Sequence, residues 1–216
     1  MSAYCSKRAK HARRLRLVDA VAIFSLTLIC DVLLCLQPDF GSAIVLTVIV
    51  FHITYVAGLP LIVLVTGFGL SAIISVFLIF YAPYRLARVM SFLNPWAYAF
   101  GSGYQLTQSL MAIGRGGFWG VGIGNGLQKI FYLPEAHTDF IFAIVGEELG
   151  FVFTAGVVIL FMTLFFVGVM QLKRAPDLYQ YLLVVGALLL ITYQALINIG
   201  VVTGCLPTKG MSLPFI

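Results

Sequence analysis

Long apolar runs separated by short polar breaks dominate this chain. The first covers residues 18–36, contains Asp19 and Asp31, and stops at the turn-forming cluster QPDFG, residues 37–41. The second covers 42–57 and is broken by Gly58-Leu59-Pro60, and the third covers 61–82 and ends at Pro83. A fourth begins near Asp139, extends to about residue 170, is interrupted by Glu147-Glu148 and is closed by Lys173-Arg174. The fifth spans 179–202, and a tail with Pro207, Lys209 and Pro214 follows it. At about 1.5 Å per residue, roughly 20 helical residues cross the hydrocarbon core of a bilayer. The pattern therefore predicts an all-α, polytopic transmembrane protein of about five spanning helices.

Between the third and fourth runs the character changes. Residues 83–138 bring in Arg85, Arg88, Arg115, Lys129 and Glu135, with aromatic residues interleaved. A connection of this length is usually functional. Within it, residues 102–114 alternate polar and apolar positions at helical spacing, which suits a helix lying along a membrane surface.

Composition narrows the class. Of 216 residues, 61% are hydrophobic and only 10% are charged, against about 25% charged in an average soluble domain. So few charges cannot cover a water-soluble globule, which excludes an ordinary cytosolic enzyme or a DNA-binding domain. The formal charge of +5 is concentrated: Lys7, Arg8, Lys10, Arg13, Arg14 and Arg16 supply six of the 13 basic residues. A basic run next to an apolar run marks a cytoplasmic flank, residues 1–17, and not a nucleic-acid site. Five spans then place Lys173-Arg174 in the cytoplasm as well, giving eight basic residues inside against Arg85, Arg88, Arg115, Lys129 and Lys209 outside. Residues 83–138 become one large extracytoplasmic loop, on the same face as the QPDFG turn and the tail. The four cysteines form no CxxC pair, and Cys30 and Cys35 fall inside an apolar run, so free thiols are expected.

The densest chemistry lies in Glu135-Ala-His137-Thr138-Asp139, just before the fourth run. Thr138 or Asp139 suits a helix N-cap, where the macrodipole favours negative charge. The same residues suit a carboxylate held ionised at the membrane surface, as a general base or a ligand of a divalent cation. Spacing does not choose between these readings. Glu147-Glu148 and Asp31 are costly inside a bilayer and need a cavity or a partner. Residues 114–126 contain seven glycines. They match neither a Walker A motif nor GxGxxG, so tight backbone turns explain them better than a pyrophosphate cradle. Arg115 remains open as a cation near substrate. Lys209 is either a snorkelling interfacial lysine or an anchor for a phosphate or carboxylate.

Taken in order, several segments resemble the bacterial SEDS family (shape, elongation, division and sporulation). They are QPDFGSA at 37–43, FLNPW at 92–96, GSGYQLTQSLMAIGRGGFWGVGIGN at 101–125, QKIFYLPEAHTDFIFAIVGEELGF at 128–151 and NIGVVTGCLPTKGMSLPFI at 198–216. The QKxFYLPEAHTDF stretch and the PTKG tail resemble the division branch, FtsW, more than the elongation branch, RodA. The resemblance implies a peptidoglycan glycosyltransferase that polymerises lipid II (undecaprenyl-pyrophosphoryl disaccharide-peptide) at the outer face of the bacterial cytoplasmic membrane, at the division septum. A lipid II flippase and an inactive scaffold are the alternatives. It further implies a class B penicillin-binding protein, a transpeptidase, as partner, together with other divisome proteins. The family's essential aspartate maps onto Asp139 as catalytic residue. Lys209, Arg115, Glu135, His137 and Glu148 map onto substrate-binding positions, and magnesium or manganese is a possible cofactor. The family fold has roughly ten helices, so the 216 residues are expected to be a part of it, without the early helices and the last one.

Overall fold

A computed structural model of the chain describes Ser2, Cys5, residues 17–37 and residues 39–216. The basic cluster between Lys7 and Arg16 lies outside the described residues. The rest is helical, with no strand among the described residues: α1 (Leu17–Leu36), α2 (Phe40–Val56), α3 (Leu61–Tyr81), α4 (Pro83–Leu93), α5 (Tyr104–Gly116), α6 (Ile141–Leu172) and α7 (Leu178–Val202). A 3₁₀ turn, Pro95–Tyr98, and a π-turn, Gln128–Tyr132, complete it. Four of these helices are long and apolar enough to cross a membrane, within Asp19–Leu36, Leu61–Tyr81, Ile141–Leu172 and Leu178–Val202. The fifth expected span, α2, is a 17-residue apolar helix, at the short limit of the roughly 17–25 residues a span needs.

The chain forms two compact units. One comprises residues 1–76 and 165–191, the other residues 77–164 and 192–216. In the first unit, Asp39 caps α2 by accepting from the Ser42 amide at 3.0 Å. Gly58, at φ 89°, turns the chain after α2. Phe24 of α1, Phe51 of α2 and Phe68 of α3 then pack in series, the first pair tilted and the second edge to face, with ring centroids 5.0 and 5.7 Å apart. Gly67 makes this possible, because a side chain there would press on the Phe51 ring. Asp31 finds its partner within this unit: its Oδ2 accepts from the Thr47 hydroxyl at 2.7 Å, while its Oδ1 is buried without a donor. Outward-facing leucine, isoleucine and phenylalanine cover α3, where Leu64 alone is buried, as lipid-facing helices require.

The second unit holds the residues of greatest chemical interest. Much of the expected loop 83–138 is helical here. Pro83 ends α3 and also starts α4, where its missing N–H costs nothing. Asn94 closes α4 and accepts from the Ala97 amide at 3.3 Å to open the 3₁₀ turn. The helix expected over 102–114 is α5, but it does not lie free on a surface. Leu106, Thr107, Ser109, Ala112 and Gly116 are buried, and the Ser109 hydroxyl donates to the Val202 carbonyl at 2.8 Å. Ala112, Phe140, Phe142, Ala143, Val202 and Leu213 share one apolar core with it. That core fixes the start of α6, the end of α7 and the tail around the site.

Candidate functional site

A break in a helix organises the glycine-rich loop. Gly150 sits at φ 76° and ψ −175° inside α6, so carbonyls and amides on either side of it lose their helical partners. The loop supplies replacements. Val121 and Gly122 amides donate to the Glu147 and Glu148 carbonyls, each at 3.0 Å, and the Phe151 and Val152 amides donate to Gly117 and Phe118 carbonyls at 2.9 and 3.3 Å. Backbones this close leave no room for Cβ atoms. A side chain at Gly116 would strike the Gly146 carbonyl, one at Gly120 the Glu148 carbonyl, and one at Gly150 the Gly120 amide. The tight-turn reading of the glycines holds here. The Val121 and Gly122 amides, which a pyrophosphate cradle would draw on, already serve α6.

This geometry makes a paired prediction. Gly120→Ala, at φ 78° against backbone, should lower thermal stability in detergent by about 2 kcal/mol or more. Gly114→Ala, with open space around it, should be neutral or stabilise by about 0.5–1 kcal/mol. Equal effects would refute the packed-loop account.

Both glutamates of α6 hold the same loop. Glu147 is fully buried and accepts from the Leu127 and Gln128 amides at 3.0 and 3.1 Å. Arg115 approaches it to 3.7 Å, with its own side chain 44% exposed. The Lys129 ammonium lies 2.6 Å from Glu148. Arg115 and Glu148, both expected at substrate, are thus engaged within the protein.

Asp139 lies at the elbow before α6, which begins at Ile141. The expected cap does not form. Thr138 turns its hydroxyl to the Glu135 carboxylate, 3.0 Å away, and the Asp139 carbonyl accepts from the Asn198 amide at 2.7 Å. Glu135 holds this elbow at φ 54°, a left-handed conformation uncommon for a side-chain-bearing residue and typical of functional sites. Its carbonyl accepts from both Thr138 and Phe140 amides. The carboxyl of Asp139 feels its burial and two charged neighbours. Burial pushes its carboxyl above the usual aspartate range, the Glu135 carboxylate pushes it further, and the Lys209 ammonium pulls it back.

The tail closes on this elbow. A Cβ on Gly210 would sit 2.8 Å from Asp139 Oδ2, so a side chain there would push the Asp139 carboxylate aside. Lys209 donates to Met211 Sδ at 3.3 Å. Beside the elbow is a cleft of about 360 Å³ with Lys129, Glu135, His137 and Thr138 in its wall, at the small end of ligand-sized pockets. The structure therefore gathers Asp139, Glu135 and Lys209, with His137 in the adjoining wall. Lys129 joins this group to the glutamates of α6. Among the described residues no three His, Cys, Asp or Glu side chains converge on one point, so they offer no ready-made cage for a divalent cation. Asn198 escaped the sequence reading, although an amide within an otherwise apolar run was a usable signal.

The chain matches known proteins over most of its length. The family described as "Cell cycle protein" (FtsW/RodA/SpoVE) matches residues 1–216. A probable peptidoglycan glycosyltransferase FtsW of Coxiella burnetii is 50% identical over 194 residues, covering 85% of this chain and 50% of that protein. Its counterpart in Tolumonas auensis is 43% identical over 222 residues, covering 100% and 57%. That of Escherichia coli O6:H1 is 48% identical over 197 residues, covering 88% and 46%. The chain thus spans about half the length of the curated relatives it matches. A solved structure described as "Structural coordination of polymerization and crosslinking by a peptidoglycan synthase complex" aligns over 99% of this chain and 60% of its own, with TM-score 0.74 and 28% identity.

Proposed function

The chain belongs to the FtsW/RodA/SpoVE family of cell cycle proteins, and on that premise we propose that it carries the catalytic elbow of a peptidoglycan glycosyltransferase. Its substrate is lipid II, polymerised into glycan strands at the outer face of the cytoplasmic membrane at the division septum. Its partners are a class B penicillin-binding protein and other divisome proteins. One observation carries the reading: the Pro207-Thr-Lys-Gly tail is folded directly onto Asp139, with Gly210 against its Oδ2.

The chemistry follows from the charges at that meeting point. Glycosyl transfer from lipid II needs a base for the acceptor sugar hydroxyl and a cation for the departing pyrophosphate. Asp139 takes the hydroxyl proton as that oxygen bonds to the donor's anomeric carbon. The bond from the anomeric carbon to the pyrophosphate oxygen breaks, and the electron pair leaves with the lipid pyrophosphate. Lys209 offsets the charge that develops there, the kind of contact worth about 2.7–4 kcal/mol of barrier. A carboxyl raised above the ordinary aspartate range is also a better proton acceptor near neutral pH. Glu135 and His137 border the cleft beside it and are placed to hold sugar hydroxyls.

The test uses the purified 216-residue chain with lipid II in detergent and in vesicles. Glycan polymer resolved on a gel supports the proposal. Lipid II translocated across vesicles without polymer would instead support a flippase, and retention of the transpeptidase with neither activity a scaffold.

A further inference from the structure

We propose that Asn198 is a positioning residue that clasps the backbone on both sides of the site, fixing the Lys209 tail against Asp139. The inference rests on the glycosyltransferase reading for its catalytic meaning, though not for the clasp itself. The Asn198 side-chain nitrogen donates to the Asp139 carbonyl at 2.7 Å and to the Met211 carbonyl at 2.6 Å. Both distances are shorter than the usual 2.9–3.0 Å of an amide bond. One NH₂ group thus joins two segments that are remote in sequence.

The unused end of the amide shows what the residue is for. Asn198 is 1% exposed, and its Oδ1 is buried with no donor. An orphaned buried acceptor costs about 1–3 kcal/mol. Turning the amide over would place oxygen against two carbonyls, so the two donors fix its orientation. Only an asparagine-sized amide offers both: serine has one donor, leucine none, and glutamine is a methylene too long. Lys209 lies two residues before Met211, and Gly210 rests on Asp139 Oδ2, so the clasp sets where the ammonium stands.

A consequence for pH dependence follows. The charged groups acting on Asp139 are Glu135 on its own loop and Lys209 on the tail. His137 and Lys129 lie in the wall of the neighbouring cleft. The carboxylates of α6, Glu147 and Glu148, are engaged by Arg115 and Lys129, and α7 contributes the neutral Asn198. Of these groups, Lys209 is the one that opposes the upward pull of burial and Glu135. Releasing the tail weakens that opposition, and the base then needs a higher pH to lose its proton.

The experiment compares the full chain with Asn198→Leu and Asn198→Ser, each alone and with Lys209→Met. Lipid II polymerisation is followed against pH, and backbone hydrogen exchange is followed over residues 207–213. Asn198→Leu should move the acid limb of the rate profile upward by about one pH unit, with part of the lost rate regained at high pH. In the Lys209→Met background it should move the limb no further. Exchange over 207–213 should quicken about tenfold or more. Asn198→Ser, which keeps one donor, should fall between Leu and the parent, and it serves if the leucine variant does not fold. A loss of rate equal at every pH would overturn the proposal, as would a limb shift persisting without Lys209. Exchange needs no turnover, so it separates the two ideas. If the parent chain makes no polymer, faster exchange still supports the clasp and unchanged exchange overturns it.

Discussion

Asp139→Asn should abolish the glycan polymerisation proposed for the chain while leaving its thermal unfolding unchanged within about 0.5 kcal/mol. The substitution keeps shape and removes the proton acceptor. A positioned general base contributes about 10²–10⁴ to rate, so turnover should fall at least a hundredfold at the parent's optimum. The carboxyl is half-buried chemistry: burial raises its pKa first, Glu135 adds to the rise, and Lys209 opposes it. The base works only once deprotonated, so the parent's acid limb should lie above the ordinary aspartate value of about 3.9. Lys209→Met removes the opposing cation and should move that limb higher still. Glu135→Gln removes the like charge and should move it lower. Lipid II polymerisation across a pH series measures all three. Full activity of Asp139→Asn would end its role as base, and limbs moving in the opposite directions would refute the charge assignment.

The long spans were legible because an uninterrupted apolar run has few other ways to fold in a chain so poor in charge. What lay between them was harder to read. Pro83 reads as the end of one run, and in the fold it is also the first residue of α4, because a helix start needs no N–H there. The spacing of 102–114 foretold a helix, yet not that Ser109 and Gly116 would bury it against α7 and α6. The glycine loop was legible only as turns. Its partners are carbonyls and amides freed by the break at Gly150, and no local pattern in residues 114–126 announces a defect so far along the chain. Asp139 stands out through its neighbours' chemistry and the family resemblance, but its contacts are not legible in the sequence. The helix begins beyond it, and its carbonyl is taken by Asn198. Only the fold reveals that residue's proximity. Glu147 and Glu148 were rightly expected to need partners. Which partners they take depends on where the loop lands.

Those two glutamates set the second large expectation. Glu147→Ala should destabilise the chain by about 3–5 kcal/mol, the range for removing one member of a buried charged pair. Two backbone amides, those of Leu127 and Gln128, lose their acceptors at once, and Arg115 loses its counter-ion. Glu147→Gln keeps one acceptor oxygen but turns an NH₂ toward the second amide, so its cost should be intermediate. Glu148→Ala should cost less, though still about 1–3 kcal/mol, because its carboxylate, 13% exposed, also accepts from the Gly124 and Gly126 amides. Its pair with Lys129 is short, but 28% of the lysine side chain reaches the surface, and a partly solvated ammonium keeps water as an alternative partner. Thermal unfolding in detergent gives the order, and limited proteolysis within residues 116–128 shows whether the loop is what comes loose. Losses below about 1 kcal/mol at both positions would mean that the backbone ladder around Gly150 holds the loop by itself. A large loss confined to Glu147 would show that a carboxylate inside the fold holds the loop by its backbone amides. On that footing Glu147 acts on the candidate site only indirectly, through the loop that joins the Arg115 and Lys129 segments.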